Sequence, residues 1–97
     1  MSNTQEKKQL LHSEICSKLG ELYQKKNHDY DDAFAKRFAK RGMNYPVDKM
    51  QEKLDRVEAL SRQAQSVEGE SMMDSLMDLA NYAIMTLIEL NINKASA

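Results

Sequence analysis

The sequence predicts an all-α fold, a small helical bundle of three long helices and one short helix forming a single domain over residues 1–97. Three observations carry that prediction. Glycine and proline are scarce, at three and one residues. Seven methionines and abundant Leu, Ala, Glu and Lys favour helix. There is no strand-like alternation, no Asn-Gly or Asp-Gly hairpin turn and no internal repeat.

Taken in chain order, Thr4 is placed to cap a first helix running to about Lys26. Its apolar stripe, Leu10, Leu11, Ile15, Leu19, Leu22 and Tyr23, recurs at helical spacing and is expected to be buried. Gly20 lies within that stripe, where it weakens the helix slightly and lets a neighbour approach. The polar segment Asn27-His28-Asp29-Tyr30-Asp31-Asp32 reads as a turn. A short basic helix, Ala33 to Arg41, follows and is stopped by Gly42. Pro46 suits the first turn of the next helix, which runs from about Val47 to Gln65. Val47, Met50, Leu54, Val57 and Leu60 form its apolar face. Ser66-Val67-Glu68-Gly69-Glu70 is a linker. Ser71 followed by Asp74 resembles a capping box at the start of a last helix ending near Asn91. That helix has a broad apolar face of Met73, Leu76, Met77, Ala80, Ala83, Ile84, Leu87 and Ile88, the expected core side.

Composition narrows the classes of function. With 14 basic and 15 acidic residues the formal charge is −1, so no DNA or RNA partner is expected from a basic surface. Cys16 is the only cysteine, which rules out an intramolecular disulfide and fits a reduced, cytoplasmic setting. It falls near the stripe of the first helix and reads as core. The two histidines, His12 and His28, lack any zinc-site context. The N-terminal MSNTQEKKQLL does not read as a secretory signal. The most apolar stretch, Leu76 to Leu90, is interrupted by Asp78, Asn81 and Glu89 and is too short to span a bilayer. No membrane partner is expected. A bundle this small leaves much helix surface wet, so a homo-oligomer is expected.

The carboxylates carry the chemical signal. Helix residues advance about 100° each, which puts Asp74, Asp78 and Asn81 on one stripe away from the apolar face of the last helix. Two aspartates at i, i+4 repel, and no basic residue precedes Lys94 in that helix to relieve them. A cation or basic side chains from another helix must do so. The preceding helix holds Glu52, Lys53, Asp55, Arg56 and Glu58 within one short run. Carboxylates with few other ligands suit Mg²⁺, which keeps several waters and bridges to phosphates. Lys53, Arg56 and the basic short helix (Lys36, Arg37, Lys40, Arg41) are then placed to neutralise phosphate oxygens. The alternative for the same residues is an acidic stripe that simply faces water.

Three segments resemble the nucleotide modification associated domain family, small proteins common in phages and related to MazG-like all-α NTP pyrophosphatases. Lys26-Asn27-His28-Asp29-Tyr30 is similar to that family's K-N-x-D-Y, although Asp31 stands where glycine commonly follows. Glu52-Lys53-Leu54-Asp55-Arg56-Val57 is similar to its D-K-φ-x-R-φ run, φ being apolar. The stretch from Glu70 to Met85 is similar to E-S-x-x-D-T-L-x-D-L-A-N-Y-A-I-M. The resemblance implies an oligomeric helical bundle whose relatives hold Mg²⁺ with helical Glu and Asp and cleave between α- and β-phosphates. It makes Glu52, Glu70, Asp74 and Asp78 the metal ligands, with Glu52 and Asp78 catalytic. It makes Lys53 and Arg56 phosphate contacts, and it assigns Lys26, Asp29, Tyr30 and Asn81 to nucleotide binding. The MazG-type E-E-x-x-E and E-x-x-D pair is not reproduced.

The leading expectation is therefore a Mg²⁺-dependent nucleotide pyrophosphohydrolase or a related nucleotide-processing protein. A second is a non-catalytic protein that sequesters a nucleotide or nucleotide signal, with a phage setting implied by the resemblance. A third is a structural helical interaction protein.

Overall fold

The computed structural model describes residues 2–63 and 69–96, the side chains of Ser2, Ala95 and Ser96 excepted. Four helices follow one another: α1 (Ser2–Asp29), α2 (Ala33–Arg41), α3 (Asn44–Ser61) and α4 (Glu70–Ser96). The fold is all-α, with three long helices and one short one. The chain forms two compact units, Met1–Asp31 and Asp32–Ala97. Among the described residues no helix is long and apolar enough to cross a membrane.

The first unit is α1. It begins at Ser2, before the expected Thr4 cap, and continues past Lys26 through Asn27, His28 and Asp29. Lys26 and His28 in the last turn suit the negative end of the helix dipole. Leu19 is buried and Leu22 and Tyr23 are half-buried, but Leu10, Leu11 and Ile15 are exposed, contrary to the expected buried stripe. The unit is a single helix and has no second element of its own to cover that side. Gly20 has no atom within 4 Å of where a Cβ would sit, so it serves no close approach. Cys16 is also exposed, and its Sγ lies 3.7 Å from His12 Nδ1 one turn earlier.

Asp31 and Asp32 both have positive φ, 53° and 55°. This left-handed backbone favours glycine, and aspartate is one of the few other residues that visits it. The family-like glycine position after Asp29-Tyr30 is thus a real conformational requirement, met here by Asp31.

The second unit is built on α2, α3 and α4. In α2, Phe34 and Phe38 lie one turn apart and are buried, while Lys36, Arg37, Lys40 and Arg41 stay outside. Phe34 meets Phe38, Tyr45 and Tyr82 at centroid separations of 6.4, 5.4 and 6.1 Å. Tyr82 and Met85 of α4 complete this cluster. Gly42 ends α2 with φ 67° and ψ −152°, and its N–H donates to the Phe38 carbonyl at 2.7 Å. α3 starts at Asn44, three residues before the expected Val47, so that Pro46 sits buried in the first turn where no N–H is needed. It ends at Ser61, whose hydroxyl donates to the Glu58 carbonyl at 2.7 Å; Gln65 and most of the expected linker lie outside the described residues. α4 opens on Gly69, whose carbonyl accepts from the Met73 N–H. The expected Ser71 capping box is replaced by a Ser75 hydroxyl that donates to the Ser71 carbonyl. The helix runs on beyond Asn91 to Ser96.

α3 and α4 are antiparallel. Tyr45, at the start of α3, shares a cluster with Tyr82 and Met85, whereas Lys53, further along, meets the earlier Asp78. The side of α4 that is covered holds Met72, Ser75, Leu79, Tyr82 and Thr86, and the buried hydroxyls of Ser75 and Thr86 are satisfied by carbonyls of their own helix at 2.7 Å. The expected core face is largely turned outward instead: Met73, Leu76, Ala83, Ile84 and Leu87 are exposed, while Met77, Ala80 and Ile88 are half-buried. On α3, Met50, Val57 and Leu60 are half-buried as expected, but Val47 and Leu54 are exposed. The reason is rotational: bringing Asp78 to Lys53 turns the apolar stripe of α4 away from α3.

Gly42→Ala forces a Cβ into a backbone region that is essentially glycine-only, and should destabilise the protein by about 1–3 kcal/mol in chemical denaturation. Gly20→Ala, in open helix, should instead stabilise it, by about 0.5–1 kcal/mol. The Glu89 carboxyl is pushed above its ordinary value of 4.5, first by burial and then by the nearby Asp32 carboxylate. The folded state therefore holds this proton more tightly than the unfolded chain does, and ionised Glu89 costs stability at neutral pH. Glu89→Gln should raise the melting temperature at pH 7, and that advantage should shrink as the pH falls through the raised folded value and be gone below 4.5.

Candidate functional site

Helix geometry sorts the second unit into two sides. Measured from the line along which α3 meets α4, Lys49, Glu52 and Arg56 lie round α3 in one rotational sense. Asp74, Asp78 and Asn81 lie in the same sense round α4. For antiparallel helices an equal sense means the same side of the pair. The charged residues of both family-like helical segments thus share one face, and α2 packs over its Tyr45–Met85 end through Phe34 and Phe38.

The centre of this face is an ion pair between Lys53 Nζ and an Asp78 carboxylate oxygen at 3.0 Å, with side chains 28% and 21% exposed. Partial burial makes it stronger than a surface pair, because water screens it less. It also supplies the neutralisation that the Asp74/Asp78 repeat requires. Around it, Lys49 Nζ lies 3.4 Å from Glu52 and 5.9 Å from the centroid of the Tyr45 ring. Arg37 Nη1 donates to the Tyr45 hydroxyl at 3.5 Å. That bond, and the negative charge the phenol can carry, hold the Arg37 guanidinium more firmly in its charged form than usual. Gln51 donates to Asp55 at 2.7 Å.

The expected residues separate as follows. Glu52, Arg56 and Asp74 are exposed on the shared face, Lys53 and Asp78 are half-buried and paired, and Asn81 is buried. Glu70 is exposed in the first turn of α4. Lys26, Asp29 and Tyr30 belong to the other unit, where the Tyr30 N–H donates to the Lys26 carbonyl at 3.0 Å and the phenol is exposed. Among the described residues no three His, Cys, Asp or Glu groups come together in a way that could hold a metal ion. The proposed ligand set, Glu52, Glu70, Asp74 and Asp78, therefore does not fit a resident Mg²⁺ as arranged. Asp78 is already engaged by an ammonium group.

Sequence reasoning missed the aromatic cluster and the link from Arg37 through Tyr45 to Lys49. The signal was available: Phe34 and Phe38 at i, i+4 with basic residues between them mark an amphipathic helix whose apolar side must be covered.

These features define an all-α protein with a charged face carried on an antiparallel helix pair. The chain belongs to the family described as Nucleotide modification associated domain 1, whose model matches residues 26–90. That match begins at the Lys26 motif and takes in all three family-like segments. Comparison with curated proteins and with solved structures gave no match.

The ion pair yields its own test. Asp78→Asn leaves Lys53 half-buried without its counter-charge and should cost about 1–2 kcal/mol, between the values for surface and buried pairs. Lys53→Met in the Asp78→Asn background should cost little more than Asp78→Asn alone. A denaturation double-mutant cycle showing additive losses would remove the pair from the centre of the site.

Proposed function

We propose that this protein binds nucleotides, taking their phosphates on the charged face of the α3–α4 pair. One observation carries the reading: cations and carboxylates from two helices converge on a single face and meet at Lys53–Asp78. Membership of a family described by its association with nucleotide modification supports the same class of ligand. A phosphate chain arriving at this face finds Lys49, Lys53 and Arg56 on α3, with the basic side of α2 nearby. It competes with Asp78 for the Lys53 ammonium, and Arg56 offers a planar fork suited to phosphate oxygens. Binding of this kind needs no preformed metal cage. Homo-oligomerisation accompanies the role on this reading.

A second reading, Mg²⁺-dependent pyrophosphohydrolysis, is favoured by one feature: Glu52, Asp74 and Asp78 stand on the same side of the pair. There a carboxylate such as Glu52 would take a proton from water as its oxygen bonds to the α-phosphorus. The bond from that phosphorus to the bridging oxygen would break, and pyrophosphate would leave with its charge met by the basic residues. The metal, brought with the nucleotide, supplies further charge neutralisation.

The test is calorimetric and thermal-shift titration with nucleoside triphosphates, with and without Mg²⁺. A ligand at about 100 times its Kd adds about 2.7 kcal/mol of stability, an easily seen shift. The exposed Arg56→Ala should weaken binding about tenfold while leaving the melting temperature of the free protein unchanged. Absence of any nucleotide-dependent shift sinks the proposal. Release of pyrophosphate that is lost in Glu52→Gln decides for the second reading; tight binding unaffected by EDTA and without turnover decides against it.

A further inference from the structure

The nine residues of α2 hold four cations and no carboxylate, in a chain whose formal charge is −1. At about 100° per residue, Lys36, Arg37, Lys40 and Arg41 fall within one arc of about 140° round the helix. All four are exposed. Phe34 and Phe38 lie outside that arc and are buried in the cluster with Tyr45. At one edge of the arc Arg37 Nη1 donates to the Tyr45 hydroxyl at 3.5 Å, and Lys49 Nζ lies 5.9 Å from the centroid of the same ring. The cationic surface thus continues from α2 onto the start of α3, with the buried Tyr45 ring as the post between them. Lys40 and Arg41 suit the negative end of the α2 dipole. Lys36 and Arg37 stand in the middle of the helix, where the dipole offers them nothing.

We infer that the outer side of α2 holds the phosphate backbone of a nucleic acid duplex, without reading its bases. A formal charge of −1 argues against a protein covered in basic surface, but not against one local patch. The occupant is argued from what the patch contains. An amphipathic helix that lies on a membrane inserts its apolar side, and the apolar side of α2 is already spent inside the fold on Phe34 and Phe38. A protein partner is held mainly by aromatic and apolar anchors at the centre of the contact, and the arc of α2 has none. A single strand is held largely by bases stacked on aromatic rings, which the arc also lacks. What remains is a surface of cations alone, and its best complement is the densest regular array of phosphates, that of a duplex. Four cations along two turns meet several phosphates at once, where a single nucleotide would engage few of them. Arg37 is kept in place for this by Tyr45, its positioning residue.

This inference does not rest on nucleotide binding at the α3–α4 face, and its readout contains no nucleotide. Fluorescence anisotropy of a short labelled DNA duplex, titrated with the full chain, should show binding that weakens steeply with salt. Four phosphate contacts give a log–log slope of about −3.6, a loss of roughly a hundredfold between about 50 and 200 mM salt. Lys40→Gln with Arg41→Gln should halve the slope, so that the same change in salt costs about tenfold. Lys7→Gln with Lys18→Gln on α1 changes the net charge equally and should leave the slope as it was. Both pairs are exposed, so neither variant should disturb folding. A single strand of the same length should bind more weakly, and poly-glutamate should compete poorly at equal charge. No binding at low salt overturns the inference whatever nucleotides do. So does a slope that both variants lower alike, a single strand bound more tightly than the duplex, or poly-glutamate that competes as well as DNA.

Discussion

The ion pair between Lys53 and Asp78 fixes the rotation of α4 about its own axis, and most of the architecture follows from that angle. Helix packing is usually decided by an apolar stripe seeking cover. Here a half-buried ammonium and carboxylate, 3.0 Å apart, lie at the seam between α3 and α4. Leaving either group unpaired there costs more than exposing a leucine at the surface, because a charge withdrawn from water has no substitute for its partner. The covered side of α4 otherwise holds Met72, Leu79 and Tyr82 with two small hydroxyl residues, Ser75 and Thr86, which satisfy themselves on their own helix. No buried side-chain nitrogen or oxygen among the described residues lacks a partner.

α2 locks one end of the pair. Its two phenylalanines reach Tyr45 on α3 and Tyr82 and Met85 on α4, so that one short helix ties both long ones. The chain must turn sharply to place it. Two consecutive left-handed aspartates precede α2 and a glycine in a region closed to other residues ends it. Such conformations persist only where the surroundings over-determine them.

How far the residues announced this arrangement differs from level to level. The four helices were legible, and the bounds of α2 were legible to the residue, because Asp31-Asp32 and Gly42 are strong local punctuation. The end of α3 is less so, since the helix stops at Ser61 and the apolar period carries no stop signal there. The two sides of α4 were also legible as an apolar stripe and an acidic one. What the period cannot express is which side faces the partner helix, since Lys53 lies on α3 and its meeting with Asp78 is a long-range event. The period therefore assigns the stripe to the core, although Met73, Leu76, Ala83, Ile84 and Leu87 are exposed. Of the site residues, Lys53 and Asp78 are brought into contact, and Glu52, Arg56 and Asp74 share their face, while Lys26, Asp29 and Tyr30 belong to the other unit.

The same two helices carry the charged face and, on α4, an exposed apolar stripe, and this has a physical consequence. Rotating α4 by a single residue step, about 100°, would break the ion pair and bring the apolar stripe toward α3, emptying the charged face and covering the stripe together. Neither surface can be tuned by helix rotation without altering the other. The ion pair at the seam opposes that rotation. The apolar residues left exposed on α4 are thus the counterpart of holding Asp78 against Lys53 at the seam.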